Sequence, residues 1–230
     1  MTDSAVACLP ATVYGYPRQG ADRQLKKAIE SYWAGRSSAE AVLDVGRELR
    51  LQRLAELRGA GLGEIPSNDF SLYDHVLDTA WMLGAIPSRH RDAVPDVSTP
   101  GGRLDRYFAM ARGSAEAAPL EMTKWFDTNY HYLVPELGPE TQFHLDPTKP
   151  LTEFREALDA GVVTRPVVLG PVSFLLLAKP EFNSTAGFDP LECRKNIGEG
   201  CCTELRPFNR REGMMPRGFC THTPRSSRQS

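Results

Sequence analysis

Apolar side chains recur at helical spacing along residues 39–58. Val42, Val45, Leu49 and Leu57 make one stripe, with Arg47, Glu48, Arg50 and Arg53 around it. This pattern predicts an amphipathic helix. Ser37 or Ser38 stands where its N-cap belongs, and Gly59, Gly61 and Gly63 close it. These glycines follow a helix rather than a strand, so they are not a dinucleotide fingerprint. A shorter helix is predicted over 23–33, with Asp22 as its cap and Gly35 as its breaker. Helical spacing returns over 71–83, 104–112 and 151–160, the last ended by Gly161. Residues 11–16 read as a short strand closed by Gly15 and Pro17. Residues 164–169 read as a near-continuous apolar strand of the kind buried on both faces of a parallel sheet. Residues 87–102 read as a polar, proline-bearing connection. Strands alternating with helices predict an α/β protein with right-handed crossovers. Periodicity leaves an open and a closed sheet equally possible, and no internal repeat is found.

Residues 121–132 alternate strictly, which predicts a strand. Met122, Lys124, Phe126, Thr128, Tyr130 and Tyr132 share one face, and Thr123, Trp125, Asp127, Asn129 and His131 the other. Both faces mix large rings with charged or hydrogen-bonding groups, as in a strand built to hold a ligand.

Composition narrows the classes. At 230 residues, 41% hydrophobic and 24% charged, the chain has the make-up of a soluble globular protein with room for a sizeable core. A net charge of −2 gives no reason to expect nucleic acid or an anionic membrane as partner. The start of the chain lacks a basic segment followed by an apolar core, and the most apolar run, 172–178, is far short of a bilayer span. The cytoplasm is the expected compartment. Cys8 precedes the patterned region, whereas Cys193, Cys201, Cys202 and Cys220 follow it, which is no disulfide framework for a fold. From Pro180 onward the helical and strand periods fade, and six arginines accompany one acid, Glu212, over 205–230. Such a tail is expected from a frame-shifted reading or a vector-derived extension. The predicted organisation is an extension over 1–13, a domain over 14–179 and an irregular tail over 180–230.

Candidate chemistry begins with Arg18, Arg23, Lys26 and Lys27, which fall after a strand and in the opening turn of a helix. Free backbone N–H groups and the helix dipole favour an anion there, and the alternative is a solvated basic turn. Lys124, within an aromatic strand, needs either water or a counter-ion; Asp127 and Asp69 are the acids in question. Asp69, Asp74, His75 and Asp78 carry metal-ligand chemistry, although such a set more often caps a helix. His131 reads as a hydrogen-bonded core or rim residue. Cys201, Cys202, Cys220 and His222 have irregular spacing for a zinc set. No nucleophile elbow, phosphate loop or His-Glu-x-x-His motif is present.

Several segments closely resemble the N-terminal domain of cobalamin-independent methionine synthase. They are Gly15-Tyr16-Pro17-Arg18, Arg23-Gln24-Leu25-Lys26-Lys27, Glu30-Ser31-Tyr32-Trp33-Ala34-Gly35, Asn68-Asp69-Phe70-Ser71-Leu72-Tyr73-Asp74-His75-Val76-Leu77-Asp78-Thr79, Glu121-Met122-Thr123-Lys124-Trp125-Phe126-Asp127-Thr128-Asn129-Tyr130-His131-Tyr132 and Arg165-Pro166-Val167-Val168-Leu169-Gly170-Pro171-Val172-Ser173-Phe174-Leu175-Leu176-Leu177. The resemblance covers about 14–179. It implies a (β/α)8 TIM barrel, incomplete in this chain, with functional groups at the C-terminal ends of the strands. It implies a binding site for 5-methyltetrahydrofolate polyglutamate at Arg23, Gln24, Leu25, Lys26 and Lys124, with Arg18 and Lys27 as further anion contacts. Gln24 departs from the glutamate common at its position. The family's reaction is methyl transfer to homocysteine, giving methionine, with zinc and without cobalamin. Zinc activates the homocysteine thiol by lowering its pKa, and its ligands belong to a C-terminal barrel. The chain is therefore expected to hold no metal site, to meet homocysteine only through that other domain, and to bind the folate polyglutamate at most. The other expectations are a non-catalytic binding or regulatory module and a truncated remnant.

Overall fold

The stripe over 39–58 forms the longest helix. A computed structural model describes residues 11–182, 184 and 187–197. In it α1 (Gln24–Trp33) leads into α2 (Ala39–Gly59), where the Ser38 hydroxyl accepts the Ala41 N–H at 3.3 Å. Then come β1 (Ile65–Ser67), α3 (His75–Met82), α4 (Ser88–Ala93), α5 (Pro100–Arg112), β2 (Met122–Lys124) and β3 (His131–Leu133). β4 (Glu136–Leu137), α6 (Thr148–Asp159), β5 (Thr164–Pro166), α7 (Pro171–Leu177) and β6 (Lys179–Pro180) follow, and a 3-10 helix spans Pro190–Cys193. The protein is mixed α/β.

Thr12 bridges Glu64 in parallel, and β1 pairs β5 in parallel with Ile65 opposite Thr164. The segments thus lie in chain order, Thr12–β1–β5. Helices α2 and α6 touch each other and both rest on β1, so they cover one face. Leu54 and Leu57 of α2 meet Ile65, Ala157 of α6 and Val162 there. A second cluster joins α1, α2, α3 and α5 around Leu25, Val42, Phe70, Leu77 and Met110. A third packs α3 against α7 around Val76, Tyr132, Leu137 and Phe174. Among the described residues the strands make three two-stranded sheets and close no barrel.

Four local expectations need correction. The alternating stretch 121–132 is a hairpin, β2 against β3, with Lys124 opposite His131. Phe126 sits at φ 49°, and Trp125 N–H donates to the Tyr130 carbonyl at 2.7 Å, so the chain reverses where a strand would run on. The strand over 164–169 shortens to 164–166, because Gly170 and Pro171 open α7 at once. Arg165 and Pro166 are half-buried, so it is not enclosed on both faces. The strand over 11–16 contributes a single bridge. Residues 87–102, read as a connection, hold α4 and the first turn of α5. Tertiary contacts fix so short a helix: Glu181 accepts the Ser88 N–H and hydroxyl at 3.3 and 3.2 Å, and Arg89 clamps Glu136.

Packed structure continues past Lys179. Asp189 and Glu192 form a reciprocal capping box, and Cys193 and Ile197, each 3% exposed, join the α3–α7 cluster. Cys8, Cys201, Cys202, Cys220, His222 and the arginine-rich stretch lie outside the described residues. No helix among the described residues is long and apolar enough to cross a membrane.

Candidate functional site

Helical spacing puts Lys26, Ile29, Glu30 and Trp33 on one face of α1. That face borders a cavity of about 320 Å³ closed by Tyr73 and Asp74 ahead of α3 and by Met122, Tyr130 and His131 of the hairpin. Arg18, on the loop before α1, completes the rim. Its guanidinium has no ion pair or hydrogen bond among the described residues. Lys26 Nζ lies 3.6 Å from Glu30 Oε1, one turn on.

Asp74 ties the walls together. It is 4% exposed, and Oδ2 accepts the Leu77 N–H at 2.9 Å and the Leu133 N–H at 3.3 Å. Oδ1 accepts the Tyr130 hydroxyl at 3.1 Å. One carboxylate therefore caps α3 and anchors the hairpin. Burial raises its pKa, and these three hydrogen bonds to the charged form oppose the rise. Burial, and then the Asp74 charge, push the Tyr130 phenol up to about 12, with Arg18 acting the other way. Behind the wall, Tyr107 donates to Asp78 at 2.7 Å, and burial holds its phenol well above the ordinary range. Arg112 stacks 3.8 Å over the Trp33 ring, and Phe108 meets it edge-on. Trp33 Nε1 and Gln19 Oε1 are buried without a hydrogen-bond partner among the described residues.

Of the residues expected at an anion site, Arg18 and Lys26 meet in this cavity. Arg23 is exposed at the helix start, where it adopts φ 59° in place of the expected Asp22 cap. Gln24 turns back to accept the Asp22 N–H at 3.0 Å. Leu25 is fully buried, so its side chain serves the core. Lys27 and Lys124 are exposed outside the lining, and Lys124 sits in register with His131, which does line it. Asp69 is not the counter-ion of Lys124: it is buried against Arg53 and accepts the Tyr16 N–H at 3.1 Å. His131 is an exposed rim residue with Nδ1 3.0 Å from the Asn129 carbonyl. Trp33 and Tyr73 join this lining without a signal of their own in the sequence beyond the helical spacing 26–29–33, whereas Tyr130 belongs to the aromatic stretch that reads as ligand-holding.

Metal chemistry finds no support in the donor set. Asp74 caps a helix and Asp78 serves Tyr107. Among the described residues no group of three or more His, Cys, Asp or Glu is placed to hold a metal ion. A second cavity, about 360 Å³, lies between α2, α3, α5 and α6, but its cations are already paired. Arg50 meets Glu156 at 2.8 Å, Arg103 meets Asp146 at 2.6 Å, and Lys149 meets Glu153 at 3.0 Å.

Fold and cavity together define an α/β domain with an aromatic-walled, cation-rimmed cavity. The chain belongs to the family described as the cobalamin-independent synthase N-terminal domain, whose model matches residues 10–199. It is similar to the 5-methyltetrahydropteroyltriglutamate–homocysteine methyltransferase of Streptomyces coelicolor, 59% identical over 188 residues, which are 82% of this chain and 24% of that protein. The enzyme of the same name from Rhodococcus jostii is 58% identical over 169 residues, 74% of this chain and 22% of that protein. That from Mycobacterium tuberculosis is 52% identical over 182 residues, 79% and 23% respectively. The chain spans about a quarter of the length of the curated relatives it matches.

Proposed function

We propose that the cavity receives the glutamate carboxylates of 5-methyltetrahydrofolate polyglutamate, and that the domain serves methyl transfer to homocysteine by binding. The observation that carries this reading is that Arg18, which has no ion pair or hydrogen bond among the described residues, lines with Lys26 a cavity walled by Trp33, Tyr73 and Tyr130. An anion supplies the counter-charge, and the rings give a linear ligand apolar surface. Arg23, Lys27 and Lys124 stand outside the lining, where further carboxylates of a γ-linked chain would reach them. Gln24 and Leu25 contribute backbone and shape. The names of the relatives supply the substrates: a triglutamate-bearing methyl donor and homocysteine.

The same reading extends to the fold. The parallel segments Thr12, β1 and β5, with α2 and α6 packed together on one face of them, fit part of a (β/α)8 barrel, whereas a doubly wound sheet is covered on both faces. Asn68 and Asp69 follow β1, at the end of a barrel strand where functional groups gather. Zinc, which the family reaction uses to activate the thiol, finds no group of three or more candidate ligands among the described residues. The residues seen hold and orient the donor's tail, and no bond-making step is assigned to them.

Titration calorimetry of the full chain with 5-methyltetrahydropteroyltriglutamate and its monoglutamate tests this. The triglutamate should bind more tightly, with an affinity that falls as salt rises, and R18Q and K26Q should each weaken it. Equal affinity for the two forms, or no change in either variant, overturns the reading. Methyl transfer by this chain, supplied with zinc and both substrates, would overturn the assignment to binding alone.

A further inference from the structure

We propose that Glu30 is a built-in competitor for the bound anion and sets the affinity of the cavity; the inference rests on the anion-site reading above. Two acids line this cavity, Asp74 and Glu30. They differ in what they do. Asp74 is buried and consumed by the Leu77 and Leu133 amides and the Tyr130 hydroxyl. The Glu30 side chain is half exposed, and its partner among the described residues is the Lys26 ammonium, one helical turn away. Glu30 therefore occupies the cation that a ligand carboxylate needs. An exposed pair at i, i+4 is weak, so an arriving carboxylate can displace it at small cost. The displaced Glu30 still faces the cavity and repels the newcomer. Both effects lower affinity, and a ligand with a single carboxylate has no further contact to offset them. A weak internal counter-ion also keeps the empty site from presenting a bare pair of cations to every small anion. Glu30 is thus a selectivity element, favouring ligands whose additional carboxylates find Arg18 and the outer lysines.

The test is E30Q in the full chain, titrated with 5-methyltetrahydropteroyltriglutamate at low and at physiological ionic strength. Glutamate and glutamine have similar helix propensity, so α1 is conserved. E30Q should tighten binding roughly three- to tenfold at low salt, and less as salt is raised. A defect in folding cannot produce that sign. E116Q removes the same charge from an exposed loop outside the cavity and should leave affinity unchanged. In a K26Q background the gain from E30Q should shrink, because no ammonium is left to release. Unchanged or weaker binding by E30Q overturns the proposal while leaving the anion site standing, provided that the unmodified chain binds the triglutamate. An undiminished gain in K26Q overturns the competition mechanism. Failure of the unmodified chain to bind removes both readings together.

Discussion

Asp69 joins three parts of the molecule, and its loss should be felt in all of them. Its carboxylate follows β1, pairs with Arg53 of α2 and accepts the Tyr16 N–H of the segment that leads to Arg18. The two side chains are 5% and 4% exposed, and the Arg53 guanidinium also lies 5.5 Å over the Phe70 ring. D69N keeps the shape and one acceptor for Tyr16 but removes the charge. Arg53 is then a buried cation without a counter-ion, and breaking such a pair from one side costs about 3–5 kcal/mol. With a urea m-value of about 1–3 kcal/mol/M, the unfolding midpoint should drop by at least about 1 M. The assay is urea unfolding followed by circular dichroism and by tryptophan emission, with coincident curves required before a free energy is taken. Replacing both partners, in R53M/D69N, should recover a large part of the loss, because no charge is left unpaired in the core. A single-variant loss below about 1 kcal/mol, or a double variant worse than the sum of its parts, refutes the argument.

His90 is fully buried in α4, and neither ring nitrogen has a hydrogen-bond partner among the described residues. Burial, aided by the Arg89 charge and opposed by Glu136, lowers its pKa from 6.5 to about 4. Between those values the unfolded chain takes up a proton that the folded one refuses, so stability should fall as pH drops through that window, by about 3 kcal/mol at pH 4. H90L should lose this component of the slope in urea midpoints measured from pH 7 to 4.5; parallel slopes refute it. Phe126 holds a left-handed conformation at φ 49° while 63% exposed. F126N should relieve more strain than it loses in contact with Trp125, a net gain of about 0.5 kcal/mol read as a melting temperature higher by roughly 1–2 °C. A lower melting temperature would show that the Trp125–Phe126 edge contact outweighs the backbone.

What the sequence disclosed follows the range of the forces involved. The helices α1, α2 and α6 were legible because their stripes and the Ser38 cap are local. The cations Arg18 and Lys26 were legible within one basic cluster because only seven residues separate them, although the same cluster took in Arg23 and Lys27, which stand outside the lining. The hairpin was not, because alternation persists through Trp125 and Phe126 and the turn uses no Gly or Pro. The cluster Asp127-Thr128-Asn129 was the available warning. The aromatic wall was harder still. Trp33 meets Tyr73 ring to ring, and Tyr130 is held beside them by the Asp74 carboxylate, whose acceptance of the Leu133 amide 59 positions away leaves no trace in local periodicity. Helix α4 likewise exists through Glu181, 93 residues distant.

The parallel pairing of β1 with β5 has a consequence in time. Ser67 and Thr164, whose side chains hydrogen-bond at 2.9 Å, are 97 residues apart. At synthesis rates of about 5–20 residues per second, one edge of β1 waits roughly 5–20 s on the ribosome before its partner exists. The Thr12 bridge can protect the other edge from the start, but Ile65 and its neighbours must be shielded meanwhile by α2 or by a chaperone. Nascent chains stalled before residue 164 should therefore be the aggregation-prone species, and early formation of α2 over β1 decides how much chain survives to meet β5.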